Sequence, residues 1–211
     1  MYGRVDIDSI AGPSEILVGA DEKSDPVFVA ADLLSQAEHD VLSAAVLITD
    51  SPSLAAAVQR ESERQLAVLP RESIARASVE NNGKIIVTKD LLTAVEAANA
   101  LAPEHLELCV DDPGPWLERV RNAGSVFLGR YCPEALGDYL AGPNHTLPTG
   151  GGARFSSPLG VYDFIKRTQY SCYTAPELQA VSADIARFAR QEGLEGHARS
   201  VLARFDKDVI A

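Results

Sequence analysis

Between Ile16 and Leu128 the sequence alternates short apolar, β-branched runs with amphipathic stretches of helical period, and that alternation leaves few architectures open. The runs cover residues 16–18, 44–49, 84–88, 106–110 and 125–128. Between them a helix is expected to begin at Pro26 with Asp25 as its N-cap, followed by helices over 53–68, 90–102 and 116–122, the last stopped by Gly124. In the first helix Val27, Ala30, Ala31 and Leu34 recur at i, i+3, i+4, i+7 and read as one buried stripe. In the second, Leu54, Val58, Leu66 and Leu69 are expected on the buried side, and Asn81-Asn82-Gly83 further on reads as a turn. Ahead of this series, residues 5–10 alternate like a strand exposed on one face, and 11–15 turn the chain into the first buried run. Strands separated by helices pair through crossovers rather than hairpins. The fold class is therefore α/β, a mostly parallel sheet with flanking helices.

Beyond residue 160 the pattern becomes helical. We read 1–160 as the α/β domain and 161–211 as a tail with helices over 176–191 and 194–205, broken at Gly193 and Gly196. Such a helical hairpin outside a sheet is expected to act as a dimer-forming appendage.

Several function classes drop out on composition. The chain of 211 residues carries a formal charge of −11, and its 19 Lys and Arg form no run, which argues against a nucleic-acid groove. No apolar run approaches the length of a bilayer span, so neither a membrane nor a secreted location is indicated and a cytoplasmic protein is expected. Cys109, Cys132 and Cys172 are odd in number and widely spaced, without C-x-x-C, and read as packing residues. No G-x-G-x-x-G or G-x-x-x-x-G-K occurs, so cofactor phosphates have no recognisable cradle in this sequence.

Chemically loaded residues gather at element ends. Gln36 and His39, three apart at the close of the first helix, can present an amide oxygen and a ring nitrogen to one target. A metal ion suits that pair, and so does an ordinary solvated helix end. Glu104-His105 after Pro103 sets a carboxylate beside an imidazole between a helix and a strand, equally an acid/base pair or a solvated terminus. Ser14 sits in the turn before a strand, where a hydroxyl commonly serves the turn itself. The stretch from Pro133 to Gly152, with Asp138 and His145, is Gly- and Pro-rich and too irregular for a helix or central strand; long connections of this kind are commonly functional. Parallel sheets receive ligands at the carboxyl ends of their strands, where a site is expected. Glu192 and His197 lie at the corner of the helical tail.

Five strings carry a resemblance. They are Asp8-Ser9-Ile10-Ala11-Gly12-Pro13-Ser14-Glu15, Asp32-Leu33-Leu34-Ser35-Gln36-Ala37-Glu38-His39, Ala102-Pro103-Glu104-His105-Leu106, Ala123-Gly124-Ser125-Val126-Phe127-Leu128-Gly129, and Pro133-Glu134-Ala135-Leu136-Gly137-Asp138-Tyr139 continuing through Gly142-Pro143-Asn144-His145-Thr146-Leu147-Pro148-Thr149. In this order and over nearly the whole chain, they resemble histidinol dehydrogenase. The resemblance implies an incomplete Rossmann-like sheet and a zinc-dependent, NAD-linked oxidation of L-histidinol through L-histidinal to L-histidine. It implies Gln36, His39, Asp138 and His197 as ligands of one zinc per chain, and Glu104 and His105 as the acid/base pair. Substrate contacts would come from Ser14, His145 and Glu192 together with the zinc ligands and His105. It further implies a homodimer in which His197 serves the partner's site. The matched strings belong to the C-terminal half of that family, so cofactor-binding residues are expected mainly in its N-terminal portion. A non-catalytic zinc- or histidinol-binding remnant, one half of a split enzyme, and a metal-dependent hydrolase using Glu104 are the alternatives at this stage.

Overall fold

The computed structural model describes residues 5, 7 and 9–210. It divides into two compact units, Met1–Ile165 and Lys166–Ala211.

The first unit is built on five parallel strands in the order β3-β2-β1-β4-β5: β1 Glu15–Ala20, β2 Ala44–Thr49, β3 Lys84–Val87, β4 His105–Cys109 and β5 Ser125–Leu128. The central strands are buried on both faces, as the continuous apolar runs require. On one face α1, Pro26–Ala37, and α2, Pro52–Leu66, cover Ile16, Val18, Ala45 and Leu47. On the other, Ala94 and Ala98 of α4, Leu91–Leu101, pack on Leu17, Ile48, Leu106 and Leu108. Asp25 caps α1 by accepting from the Val27 amide, with Pro26 as its first residue, and Ser51 and Asp90 cap α2 and α4 in the same way.

Several expectations change. The buried face of α1 is Val29, Ala30, Leu33, Leu34, Gln36 and Ala37, whereas Val27 and Ala31 are exposed. The same heptad spacing fits a stripe turned by two to three residues, and it is the turned stripe that meets the sheet. A further helix, α3 over Glu72–Asn82, takes in Asn81 and Asn82; its buried residues, Ala75 and Ser78, are too small to signal a stripe. Of the strand expected over 5–10, Asp6 and Asp8 lie outside the described residues, and Val5, Ile7, Ser9 and Ile10 are irregular. The connection after β5 contains the helix α6, Glu134–Tyr139, and the helix expected over 116–122 is reduced to α5, Gly114–Leu117. Of the cysteines, Cys109 packs in the core while Cys172 is exposed.

At the carboxyl ends of β1 and β4, where the sheet order reverses, the chain fills its own crevice. Arg130 donates to both carboxylate oxygens of Asp21, at 2.7 and 3.0 Å, and to Asp111, the Ser24 hydroxyl and the Cys109 carbonyl. Lys23 completes the network with Asp111 at 2.9 Å.

The second unit is a helical hairpin, α7 Ala175–Gln191 and α8 Glu195–Leu202. Thr174 and Glu177 form a capping box, and Gly193 at φ 76° makes the left-handed corner. Its core is Ala186, Ala189 and Ala198 with Leu202 against them.

Candidate active site

The chemically loaded residues of the first unit meet at the amino ends of β1 and β4, opposite the end expected. Two local features deliver them. Ala102 closes α4 in the left-handed region at φ 55°, a conformation that disfavours a side chain, and the chain then enters Pro103-Glu104-His105 with His105 as the first residue of β4. Beneath it runs Gly124, where a Cβ would stand 2.6 Å from the Glu104 carbonyl oxygen, so only glycine lets the chain pass there. The two backbones are tied by Gly124 N–H to Pro103 O and Ser125 N–H to Glu104 O, at 2.9 and 2.8 Å.

His105 is buried and its tautomer is set by the backbone. Its Nδ1 lies 2.9 Å from the Glu15 carbonyl oxygen, an acceptor, so Nδ1 carries the proton and Nε2 presents a lone pair. Burial holds the imidazole below its ordinary pKa, against the Glu15 carbonyl and the Asp138 charge, so the neutral form prevails. Nε2 faces Glu134 at 3.7 Å. Glu104 is 8% exposed and accepts from the Glu15 amide at 2.9 Å. Burial raises its carboxyl to about 7, the Glu15 amide opposes the rise, and the Glu15 and Asp138 charges add to it. Glu134 is likewise pushed up to about 7, by burial first and then by the Asp138 carboxylate.

Asp138 follows Glu134 by one helical turn on α6, and ligand atoms of His105, Glu134 and Asp138 all lie within 4.8 Å of one another. Gln36, 1% exposed, comes from the last turn of α1 and lies close enough to Glu134 to favour its charged form. His39 is exposed just past that helix, near enough for its charge to act on His105. Of the five buried side-chain polar atoms that lack a hydrogen-bond partner among the described residues, four belong here: Gln36 Oε1, Gln36 Nε2, His105 Nε2 and Glu134 Oε1. Each orphan costs about 1–3 kcal/mol unless something occupies it, so a concentration of four fits a site built for a cation or polar ligand.

Ser14 stands at the edge of this group, its carbonyl accepting from the Ala44 amide. Asp138 and His145 line one cavity of about 120 Å³ with Gly137, Asn144 and Leu147. Glu192 and His197 belong to the other unit, where Glu192 is the C-cap of α7, His197 is on α8, and both are exposed. The sequence reading overlooked Glu134 and Glu107. Glu134 was signalled by its i, i+4 spacing to Asp138, and Glu107 by a carboxylate flanked by leucines inside a buried strand.

The family model described as histidinol dehydrogenase matches residues 1–205. The histidinol dehydrogenases of Streptococcus mutans and Bacillus subtilis are 55% and 54% identical over 208 and 204 residues, or 99% and 97% of this chain. Those stretches are 49% and 48% of the relatives' own lengths, so the chain spans about half of the curated relatives it matches. The crystal structure of histidinol dehydrogenase from Elizabethkingia anophelis superposes with a TM-score of 0.82 at 39% identity, covering 98% of this chain and 47% of that one. A match of this extent in sequence and fold places the chain in the histidinol dehydrogenase family.

Proposed function

We propose that this chain carries the metal- and substrate-binding half of a histidinol dehydrogenase, which oxidises L-histidinol through L-histidinal to L-histidine in two NAD-linked steps of histidine biosynthesis. The observation that carries the reading is the neutral, one-sided imidazole of His105, its unpartnered Nε2 grouped with three more unpartnered buried polar atoms from Gln36 and Glu134.

Gln36, His39 and Asp138 would hold a zinc ion together with His197, supplied by the second copy of a cytoplasmic homodimer. When bound, zinc offers a Lewis-acidic anchor for the amino alcohol, and NAD takes up the hydride. The donor set fits: two imidazoles and one carboxylate are ordinary zinc ligands, and Gln36 Oε1, buried and without a hydrogen-bond partner among the described residues, offers a neutral oxygen as the fourth.

The remaining work falls to side chains. His105 Nε2, with Nδ1–H committed to the Glu15 carbonyl, accepts the hydroxyl proton as the carbinol carbon loses hydride, leaving the aldehyde. Glu104, poised near 7, takes a proton from water as the water adds to that aldehyde; the hydrate then loses a second hydride and proton and becomes the acid. Ser14, His145 and Glu192 would contact the substrate.

The test is calorimetric titration of Zn2+ into the purified chain, then of L-histidinol into the zinc-loaded chain, followed by a search for NADH formation on adding NAD. One zinc per chain and histidinol binding that requires it are expected, with both reduced in Asp138→Ala. A chain that binds neither would refute the assignment.

A further inference from the structure

One buried acid takes no part in that chemistry. Glu107 is the third residue of β4, on the same face of the strand as His105, and is 1% exposed under α1. A lone carboxylate there would be costly, so its contacts must account for it. Its Oε1 accepts from the Glu134 amide at 2.8 Å, the first residue of α6. Its other side meets Asp32 of α1, and ligand atoms of Asp32, Glu107 and Cys109 lie within 4.8 Å of one another. Two carboxyl groups in contact need a proton between them. Burial and the Asp32 charge put that proton on Glu107, raising it to about 9, so Glu107 donates to Asp32 while accepting from Glu134. The Cys109 thiol donates weakly to Oε2 at 3.9 Å and leaves the two stronger contacts in place.

The two helices joined through this group are the two that carry the cluster above: α1 brings Gln36, and α6 brings Glu134 and Asp138. Among the described residues this is the side-chain hydrogen bond that ties the start of α6 to the sheet; the other tie between them is the 3.7 Å approach of His105 Nε2 to the Glu134 carboxylate. We propose that Glu107 is a positioning residue, a neutral carboxylic acid that couples α1 to the start of α6 and so sets the spacing between Gln36 and the Glu134–Asp138 pair. It touches no reacting atom and acts through the two helices. This rests on the reading of that cluster as the metal site.

An amide can replace a neutral acid in both roles. Glu107→Gln keeps an oxygen for the Glu134 amide and an N–H for Asp32, whereas Glu107→Leu has neither. The experiment measures Zn2+ affinity of the full chain by competition with a chromophoric chelator, beside amide hydrogen exchange at Glu134 and Asp138 and the thermal midpoint. We expect Glu107→Leu to bind Zn2+ about tenfold or more weakly and to exchange the Glu134 amide about tenfold or more faster, at a midpoint equal to or above that of the unmodified chain. Glu107→Gln should stay within about twofold on both readouts. Zn2+ affinity and exchange that are unchanged in Glu107→Leu would overturn the proposal, as would a Gln variant as impaired as the Leu one. Should the unmodified chain bind no Zn2+, the metal reading falls by itself and the exchange data decide the joint: loss of protection in Leu and retention in Gln support it, and equal protection in both overturns it. If Glu107→Leu does not fold, Asp32→Ala cuts only the α1 side of the joint and leaves the Glu107–Glu134 hydrogen bond: Zn2+ affinity about tenfold or more weaker with the Glu134 amide still protected is expected, and unchanged affinity overturns the proposal.

Discussion

Replacing Gln36 by leucine should make the metal-free protein more stable and the metal-binding protein worse. Gln36 is 1% exposed, and although it lies close to the Glu134 carboxylate, neither its amide oxygen nor its amide nitrogen has a partner within hydrogen-bond geometry among the described residues. An orphaned buried polar atom costs about 1–3 kcal/mol, so two of them cost about 2 kcal/mol even at the low end. Leucine is close to glutamine in volume, carries no polar atom, and would join Leu33, Leu34 and Ala37 on the buried face of α1. In urea with a chelator present, at a slope of about 2 kcal/mol per molar, the unfolding midpoint should rise by about 1 M. With Zn2+ at about a hundred times its dissociation constant, the unmodified chain gains about 2.7 kcal/mol by mass action. The leucine variant, short of a ligand, gains much less, so the stability order closes or inverts on adding metal. A leucine variant less stable than the parent in chelator would show that the Gln36 amide is satisfied in the folded chain, and the reasoning from orphaned atoms would fail. Equal stabilisation of both proteins by Zn2+ would remove Gln36 from the ligand set.

Other predictions come from neighbouring features. Glu104 and Glu134, both raised to about 7 from an unfolded value near 4.5, bind more protons folded than unfolded, so their contribution is present below about pH 4.5 and lost as pH rises toward 7. Metal-free chain should therefore be more stable at pH 5 than at pH 8 by urea midpoint, and Glu104→Gln should shrink that difference by about 2 kcal/mol; a difference unaffected by the substitution would contradict the assignment. Gly124→Ala sets a methyl against the Glu104 carbonyl oxygen at 2.6 Å and should cost about 1–3 kcal/mol, with weakened Zn2+ and histidinol binding because Glu104 and His105 must shift. Arg130→Met removes the bidentate partner of Asp21, which keeps only the Lys23 amide, while the Cys109 carbonyl keeps the Ser24 hydroxyl; after discounting for partial exposure the cost is about 1–3 kcal/mol in thermal unfolding, with Zn2+ affinity unchanged.

What the sequence disclosed follows from how locally each signal is written. The β2 and β5 strands and the Pro26 start of α1 rest on apolar runs and caps that need no tertiary information, and they lie where periodicity puts them. The rotation of α1 about its axis was not legible, because Val27-Ala30-Ala31-Leu34 and Ala30-Leu33-Leu34-Ala37 both satisfy helical spacing; only contact with β1 and β2 selects the second. Gln36 could be singled out beside His39, but that ambiguity left its burial unread: it is a solvated helix end in one register and a buried amide without a partner among the described residues in the other. Helix α3 buries Ala75 and Ser78, so it carries almost no hydrophobic signal, and α6 is a six-residue helix inside a Gly- and Pro-rich stretch. The Glu104-His105 pair could be picked out as chemistry, but its neutral imidazole and raised carboxyl depend on burial and on the Glu15 backbone, 90 positions away from His105 in the chain.

The two ends of this sheet have exchanged their usual roles. In doubly wound sheets the switch point at the carboxyl ends takes the ligand, and the first helix N-terminus takes an anion. Here Asp25 already occupies the start of α1, its carboxylate on the Val27 amide, and Arg130 fills the crevice between β1 and β4 with a bidentate pair to Asp21. Those groups are satisfied by one another, which makes that end a clamp on the strands. At the amino ends the balance is reversed: a left-handed alanine, a glycine with no room for a methyl, three glutamates raised by burial and four polar atoms without partners among the described residues gather around the start of β4. Strain and unmet polar groups are tolerated where a function uses them and the rest of the fold can bear the cost. The Arg130 clamp and the alanine- and leucine-lined core at the opposite end are what bear it, so stability and binding should respond separately to substitutions at the two ends of the same strands.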